Sequence, residues 1–101
     1  MPQIIKQFIL GTAIRITTIL DIATATSAKI TIEDSAGTEK VTRTDMTKEE
    51  DKVYSYIYQS DDDDNSGTYT VIIEITYGGY TSMSKGQFDL VSITSQWAIR
   101  H

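Results

Sequence analysis

Few side chains in this 101-residue chain are equipped for chemistry, and the most conspicuous are four consecutive carboxylates, Asp61-Asp62-Asp63-Asp64, followed by Asn65-Ser66-Gly67. Counted from Asp62, the segment reads Asp62-x-Asp64-x-Ser66-Gly67, the first half of a calcium loop whose oxygens would wrap a hard cation. Position twelve of that count is Ile73, where a bidentate carboxylate is needed. Without it the cation loses two ligands and the loop loses its clamp. The expectation is a solvated acidic loop, with Asp62 and Asp64 as the candidates for weak divalent binding and no cofactor.

Other reactions lack their parts. There is no Cys, which removes thiolate nucleophiles and thiolate metal sites, and the single His is His101. Ser and Thr abound, yet without an internal imidazole and with Lys scattered no base is identifiable to activate one. Carboxylate pairs for glycoside hydrolysis can be drawn among the 14 Asp and Glu, but no spacing selects a pair. A domain this small offers no evident cleft to desolvate an acid. The chain is expected not to be an enzyme, and a small hydrolase is the remotest reading.

Charge narrows the partners. Nine Lys and Arg against 14 Asp and Glu leave a net charge of −5, which repels phosphate backbones and anionic headgroups. The expected partners are other protein chains, with a second copy of this one among them, and neither nucleic acid nor membrane. The start, Met1-Pro2-Gln3-Ile4-Ile5-Lys6, has no basic region followed by a long apolar run, so no signal peptide is expected. No apolar stretch approaches the roughly 18 residues of a membrane span.

Aromatic residues are the remaining candidates for recognition. Tyr54, Tyr56 and Tyr58 alternate along one face of a strand, where an aromatic ladder packing against the core is the stronger reading. Tyr77 and Tyr80 flank Gly78-Gly79 and are expected at an exposed tip, as contact residues. Trp97, with Ile93 and Ile99, follows the last strand and either folds back or docks on another chain.

The elements that would position these groups are strands. The chain holds 15 Ile, 15 Thr, 4 Val and 6 Tyr against 3 Leu and 1 Pro, a strand-forming composition that leaves little room for helix. Turn signals recur every eight to twelve residues or so, as in a sandwich or barrel. Seven strands are expected: Gln3–Leu10, Thr12–Leu20, Ser27–Glu33, Thr38–Asp45, Lys52–Gln59, Thr68–Tyr77 and Tyr80–Val91. Ser27–Glu33 alternates with Ala28, Ile30 and Ile32 on one face, and Thr38–Asp45 is of edge type. Thr47–Asp51 is charged and resembles a capping box, which allows one helical turn at most. Gly78-Gly79 predicts a two-residue primed turn, in which paired residues sum to 157 and Tyr69 faces Phe88.

Asn65-Ser66-Gly67-Thr68-Tyr69-Thr70-Val71 resembles the start of strand F in an immunoglobulin-like sandwich. The resemblance makes Tyr69 the corner tyrosine, its hydroxyl returning to nearby backbone, and puts Val71 in the core position that holds Cys in antibody domains. The order Phe8-Ile9-Leu10-Gly11, Ala28-Lys29-Ile30-Thr31-Ile32-Glu33, Val53-Tyr54-Ser55-Tyr56, Gly67–Val71 and Gly86-Gln87-Phe88 is similar to Ig-like modules of tailed-phage virion proteins and prokaryotic surface proteins. It implies an all-β, seven-stranded antiparallel Ig-like β-sandwich over residues 1–91, with residues 92–101 as tail or connector. It also implies a non-catalytic structural or assembly module of a phage or prophage virion, found in the particle or in host cytoplasm before assembly. The alternative is an adhesion or carbohydrate-binding module using a Tyr-rich face.

Overall fold

Period-two alternation and β-branched residues make strands of nearly every stretch that carries them. A computed structural model of the chain describes residues 6–21 and 25–92. The strands are β1 (Gln7–Ile9), β2 (Ala13–Ile19), β3 (Ser27–Glu33), β4 (Glu39–Asp45), β5 (Thr47–Glu50), β6 (Val53–Gln59), β7 (Gly67–Tyr77) and β8 (Tyr80–Val91). They form a five-stranded sheet in the order β1-β8-β7-β3-β4 and a three-stranded sheet in the order β2-β6-β5. No helix among the described residues is long and apolar enough to cross a membrane.

Two expectations are corrected. Among the described residues there are eight strands rather than seven, because Thr47–Glu50 is extended and pairs with β6 instead of turning. All four of its residues are exposed, so it needs no apolar face; it satisfies the outer backbone groups of β6 as an edge. The larger sheet is mixed rather than antiparallel, since β1 runs parallel to β8, with Gln7 beside Asp89 and Ile9 beside Val91. β1 and β2 lie in different sheets and are joined only by Leu10-Gly11-Thr12, so they make no hairpin. β1 instead reaches the end of β8 in the same direction, where the Leu10 amide donates to Val91 O.

The longest ladder is β7–β8, eleven pairs from Gly67–Leu90 to Tyr77–Tyr80, every one summing to 157. Gly78 and Gly79 have φ of 51° and 81°, the left-handed pair that a primed turn needs. Between the sheets lies one core, with Ile30, Ile32, Tyr69 and Leu90 fully buried and Ala28, Val71 and Phe88 beside them. The second sheet covers it with Ile14, Tyr54 and Tyr58. Aromatic rings run through its lower half: Tyr69 stacks on Phe88 at 5.4 Å between centroids, and Phe8 meets Phe88 edge-on at 6.1 Å.

Candidate functional site

The acidic loop and the β3–β4 turn meet at one pole, where Asp34, Asn65 and Asp64 tie the two together. Asp34 is buried at the end of β3, where its Oδ1 accepts from the amides of Ala36 and Thr38, both at 2.9 Å. Its Oδ2 accepts from Asn65 Nδ2 at 3.1 Å. The Thr38 amide is foremost in holding the Asp34 carboxyl below its ordinary range, against the opposing effect of burial. Asn65 O in turn accepts from the hydroxyl of Tyr69 at 2.7 Å. Burial pushes that phenol up to about 12, so it remains a donor throughout the ordinary pH range.

The four aspartates divide. Asp64 turns inward: its Oδ2 accepts from the Tyr58 hydroxyl and from the Asp61 amide, both at 2.9 Å, and its Oδ1 lies 3.0 Å from Lys40 Nζ. Burial alone would raise its pKa, but the Asp61 amide, Lys40 and Tyr58 outweigh it and bring the carboxyl below its usual range. Burial and the Asp64 carboxylate together drive the Tyr58 phenol well above its ordinary value. Asp61, Asp62 and Asp63 stay exposed, with their carboxylates within 4.8 Å of one another. Asp62 is pushed up, first by its hydrogen bond with Asp61 and then by the charges of Asp63 and Asp61. The structure therefore does not bring the two candidate cation ligands together as a calcium loop would. Asp62 faces solvent, while Asp64 already has a cation and two donors. Lys40 and Asp34, both essential to this arrangement, carry no sequence signal linking them to the loop. The turn chemistry of Asp34-Ser35-Ala36-Gly37 is legible, but its bond to Asn65 spans 31 positions.

The aromatic candidates also separate. Tyr54 and Tyr58 are buried and Tyr56 is half-buried, so the ladder on β6 belongs to the core and presents no ring platform to a ligand. At the hairpin tip Tyr77 is half-buried and packs against Tyr80 at 6.5 Å, and Tyr80 is 72% exposed. Trp97 lies outside the described residues, as does most of the segment from residue 92 to 101.

A feature with no sequence motif lies on the flank between β2 of the smaller sheet and β8 of the larger one. There the sandwich is open along a furrow of two adjoining hollows, about 370 and 310 Å³. Phe8, Ile14, Ile16, Val71 and Ile73 make the floor of the first, Ile75 and Tyr77 that of the second, and Ser84 lies between them. The hollow exists because β8 offers Ser82, Ser84 and Gly86 opposite the large Ile75, Ile73 and Val71 of β7. Small residues there leave the space that a larger side chain would fill.

Arg15 spans the outer surface of the smaller sheet, 3.6 Å from Glu49, and the hydroxyl of Ser55 donates to Glu49 beneath it. This is a cross-strand polar cluster that closes the face between β2, β6 and β5. Comparison with protein families, with curated proteins and with solved structures finds no match to the chain.

Proposed function

We propose that the chain is a non-catalytic structural or assembly module built as an Ig-like sandwich, and that it serves as a component of a phage or prophage virion. The observation that carries the assembly role is the outer edge of β8. Among the described residues β1 covers it at Asp89–Val91, and no strand lies on that side of Tyr80–Phe88. A bare strand edge is a template for another chain. Support for the Ig-like reading comes from the order β1-β8-β7-β3-β4 facing β2-β6-β5, and from the Tyr69 hydroxyl returning to Asn65 O at the start of β7. The virion assignment rests on the similarity of phrase order to tailed-phage modules. The net charge of −5 favours protein partners over nucleic acid or membrane surfaces.

The reading without catalysis is supported by the placement of the reactive groups. Asp34 and Asp64 are held by neighbouring donors, and the exposed Asp61–Asp63 face open solvent. The adhesion reading loses its main platform because Tyr54 and Tyr58 are in the core, and among the described tyrosines Tyr80 is the exposed one, with half-buried Tyr77 beside it. A glycan array beside sedimentation of the same sample separates the two. An assembly module retains no glycan and associates with itself or with a particle protein. Glycan retention that disappears in Tyr80→Ala would overturn the assembly role in favour of adhesion.

A further inference from the structure

The first hollow of the furrow exists because β8 is small there. On the inner face of β8, Phe88 is preceded by Gly86 and Ser84, while Ile14 and Ile16 of β2 and Val71 and Ile73 of β7 line the space they leave. A Cβ built on Gly86 meets nothing within 4 Å. β1 enters the hollow from one end: Phe8 lines it, edge-on to Phe88, and so does Lys6, the first described residue. The residues before Lys6, Met1-Pro2-Gln3-Ile4-Ile5, lie outside the described residues. They include two adjacent isoleucines, and the sequence pattern reads as strand from Gln3 onward. An apolar hollow of about 370 Å³ thus begins where an apolar segment leads in.

The β1–β8 ladder dictates the direction and the face that such a segment would take. Gln7 lies beside Asp89 and Ile9 beside Val91, and the Asp89 amide donates to Lys6 O at 2.8 Å, one residue before β1. Continued in that register, Ile5 falls beside Gln87, Ile4 beside Gly86, Gln3 beside Lys85 and Pro2 beside Ser84. In a parallel pair alternate residues bond across, so Gln87 and Lys85 would bond to the segment as Asp89 bonds to the start of β1. The Ile4 amide would donate to Lys85 O, and Pro2, which has no N–H, ends the ladder there. Side chains alternate between faces, and half-buried Phe8 stands between exposed Gln7 and Ile9. In this register Ile4 shares the inward face of Phe8, toward the hollow, and Ile5 shares the outward face of Gln7.

We propose that residues 1–5 continue β1 along β8 as a strap and seat Ile4 in the hollow over Gly86, closing the flank between the two sheets. The chain's own segment is the occupant because it has almost no distance to cover. A strand rises about 3.3 Å per residue, which puts Ile4 about 7 Å from Lys6, itself a lining residue of the hollow. Residues 93–101 instead follow β8 past Val91, beyond the far end of β1, and would have to double back to reach it. A strap held by a few edge hydrogen bonds and one apolar side chain belongs to the part of a fold that opens first. It covers β8 from Ser84 to Phe88 and leaves Tyr80–Met83 to a partner, so its release lengthens the edge on which the assembly reading rests. The strap therefore regulates that edge without depending on the reading.

The two adjacent isoleucines make the test specific. Ile4→Asp should lower the melting temperature of the whole chain by about 5 °C or more, and Ile5→Asp should leave it within about 1 °C of wild type. The chain has no Cys, so introduced thiols read the register directly. Gln3→Cys with Lys85→Cys sets two outward thiols on neighbouring strands about 4.8 Å apart, a Cα separation that a disulfide spans. Mild oxidation should close that bond within one chain, seen by intact mass and by a shift on a non-reducing gel. Gln3→Cys with Thr81→Cys lies four residues out of register and should stay reduced. Equal effects of Asp at Ile4 and Ile5, or equal oxidation of the two thiol pairs, overturns the strap. A disulfide joining two chains overturns it in favour of a second copy. A silent Ile4→Asp beside a Trp97→Ala that melts early overturns it in favour of residues 93–101. None of these failures touches the assembly reading, which the glycan array and the Tyr80→Ala control decide separately.

Discussion

The hydroxyl of Tyr69 is one oxygen in a fully buried ring, and its bond to Asn65 O fastens the start of β7 to the loop before it. Tyr69→Phe keeps the ring and its stack on Phe88, so the loss in a urea melt should be about 1 kcal/mol, the net worth of one buried hydrogen bond. The aspartates a few positions earlier should behave in opposite ways although they are neighbours in sequence. Asp64→Ala strips Tyr58, Lys40 and the Asp61 amide of a shared acceptor and should cost about 2 kcal/mol, as expected for hydrogen bonds to a charged group. Asp62→Asn removes a charge that its neighbours already oppose, and its melting temperature should be equal to or slightly above wild type. A larger loss for Asp62→Asn than for Asp64→Ala would show that the inward and outward assignments are reversed.

Elements are held here by two glycines with different duties. Gly67 opens β7 at φ 125°, and a Cβ there would stand 2.7 Å from Ser35 Cβ, on the turn whose hydroxyl donates to Ser66 O. Gly67→Ala combines backbone strain with that collision and should cost more than about 2 kcal/mol in chemical denaturation. Gly78 sits at φ 51° at the hairpin tip, where a Cβ would meet the Tyr80 ring at an ordinary 3.9 Å, and Asn accepts that conformation. Gly78→Asn should therefore stay within about 0.5 kcal/mol of wild type in the same melt. Equal losses at both positions would mean that the close approach of Ser35 does not constrain β7. The edge strands follow the same logic of local demand. β5 exists because β6 needs a partner along its outer side, and a polar segment suffices when both faces of that edge are wet.

At the scale of the whole molecule, acid should be the sharpest probe, because the pole is organised around two carboxylates. Asp34 and Asp64 both lie below their ordinary pKa in the folded state. Each thus contributes stability above the unfolded carboxylate value of about 3.9, and that contribution is lost as pH falls through the lower folded value. Lys40 has the opposite sign: raised first by its hydrogen bond with Asp64, it contributes below its unfolded value of about 10.4 and loses that as pH rises through the folded one. Melting temperature should hold from neutrality down to about pH 4 and then fall, and Asp64→Asn should flatten the fall. An unchanged slope in that variant would remove Asp64 from the acid transition. The two sheets share one core, so Ile32→Ala at its fully buried centre should lower global stability by about 3 kcal/mol in a single cooperative transition.

What the sequence determined by itself was local. Alternation alone places Ala28, Ile30 and Ile32 inward, and Gly78-Gly79 dictates the β7–β8 register over its whole length, because a two-residue primed turn leaves no freedom of pairing. The all-β class follows from β-branched composition for the same reason: each residue reports its own backbone preference. What depended on distant partners was hidden. The parallel docking of β1 on β8 joins residues about eighty positions apart, and β5 has no apolar pattern of its own. Nothing in Asp61-Asp62-Asp63-Asp64 says which carboxylate turns inward, since Lys40 and Tyr58 decide it from other strands. Which stretch of β8 is covered by β1 is likewise a property of the assembled sheet. A strand is an edge only by virtue of what fails to lie beside it, and only the tertiary structure places its neighbours.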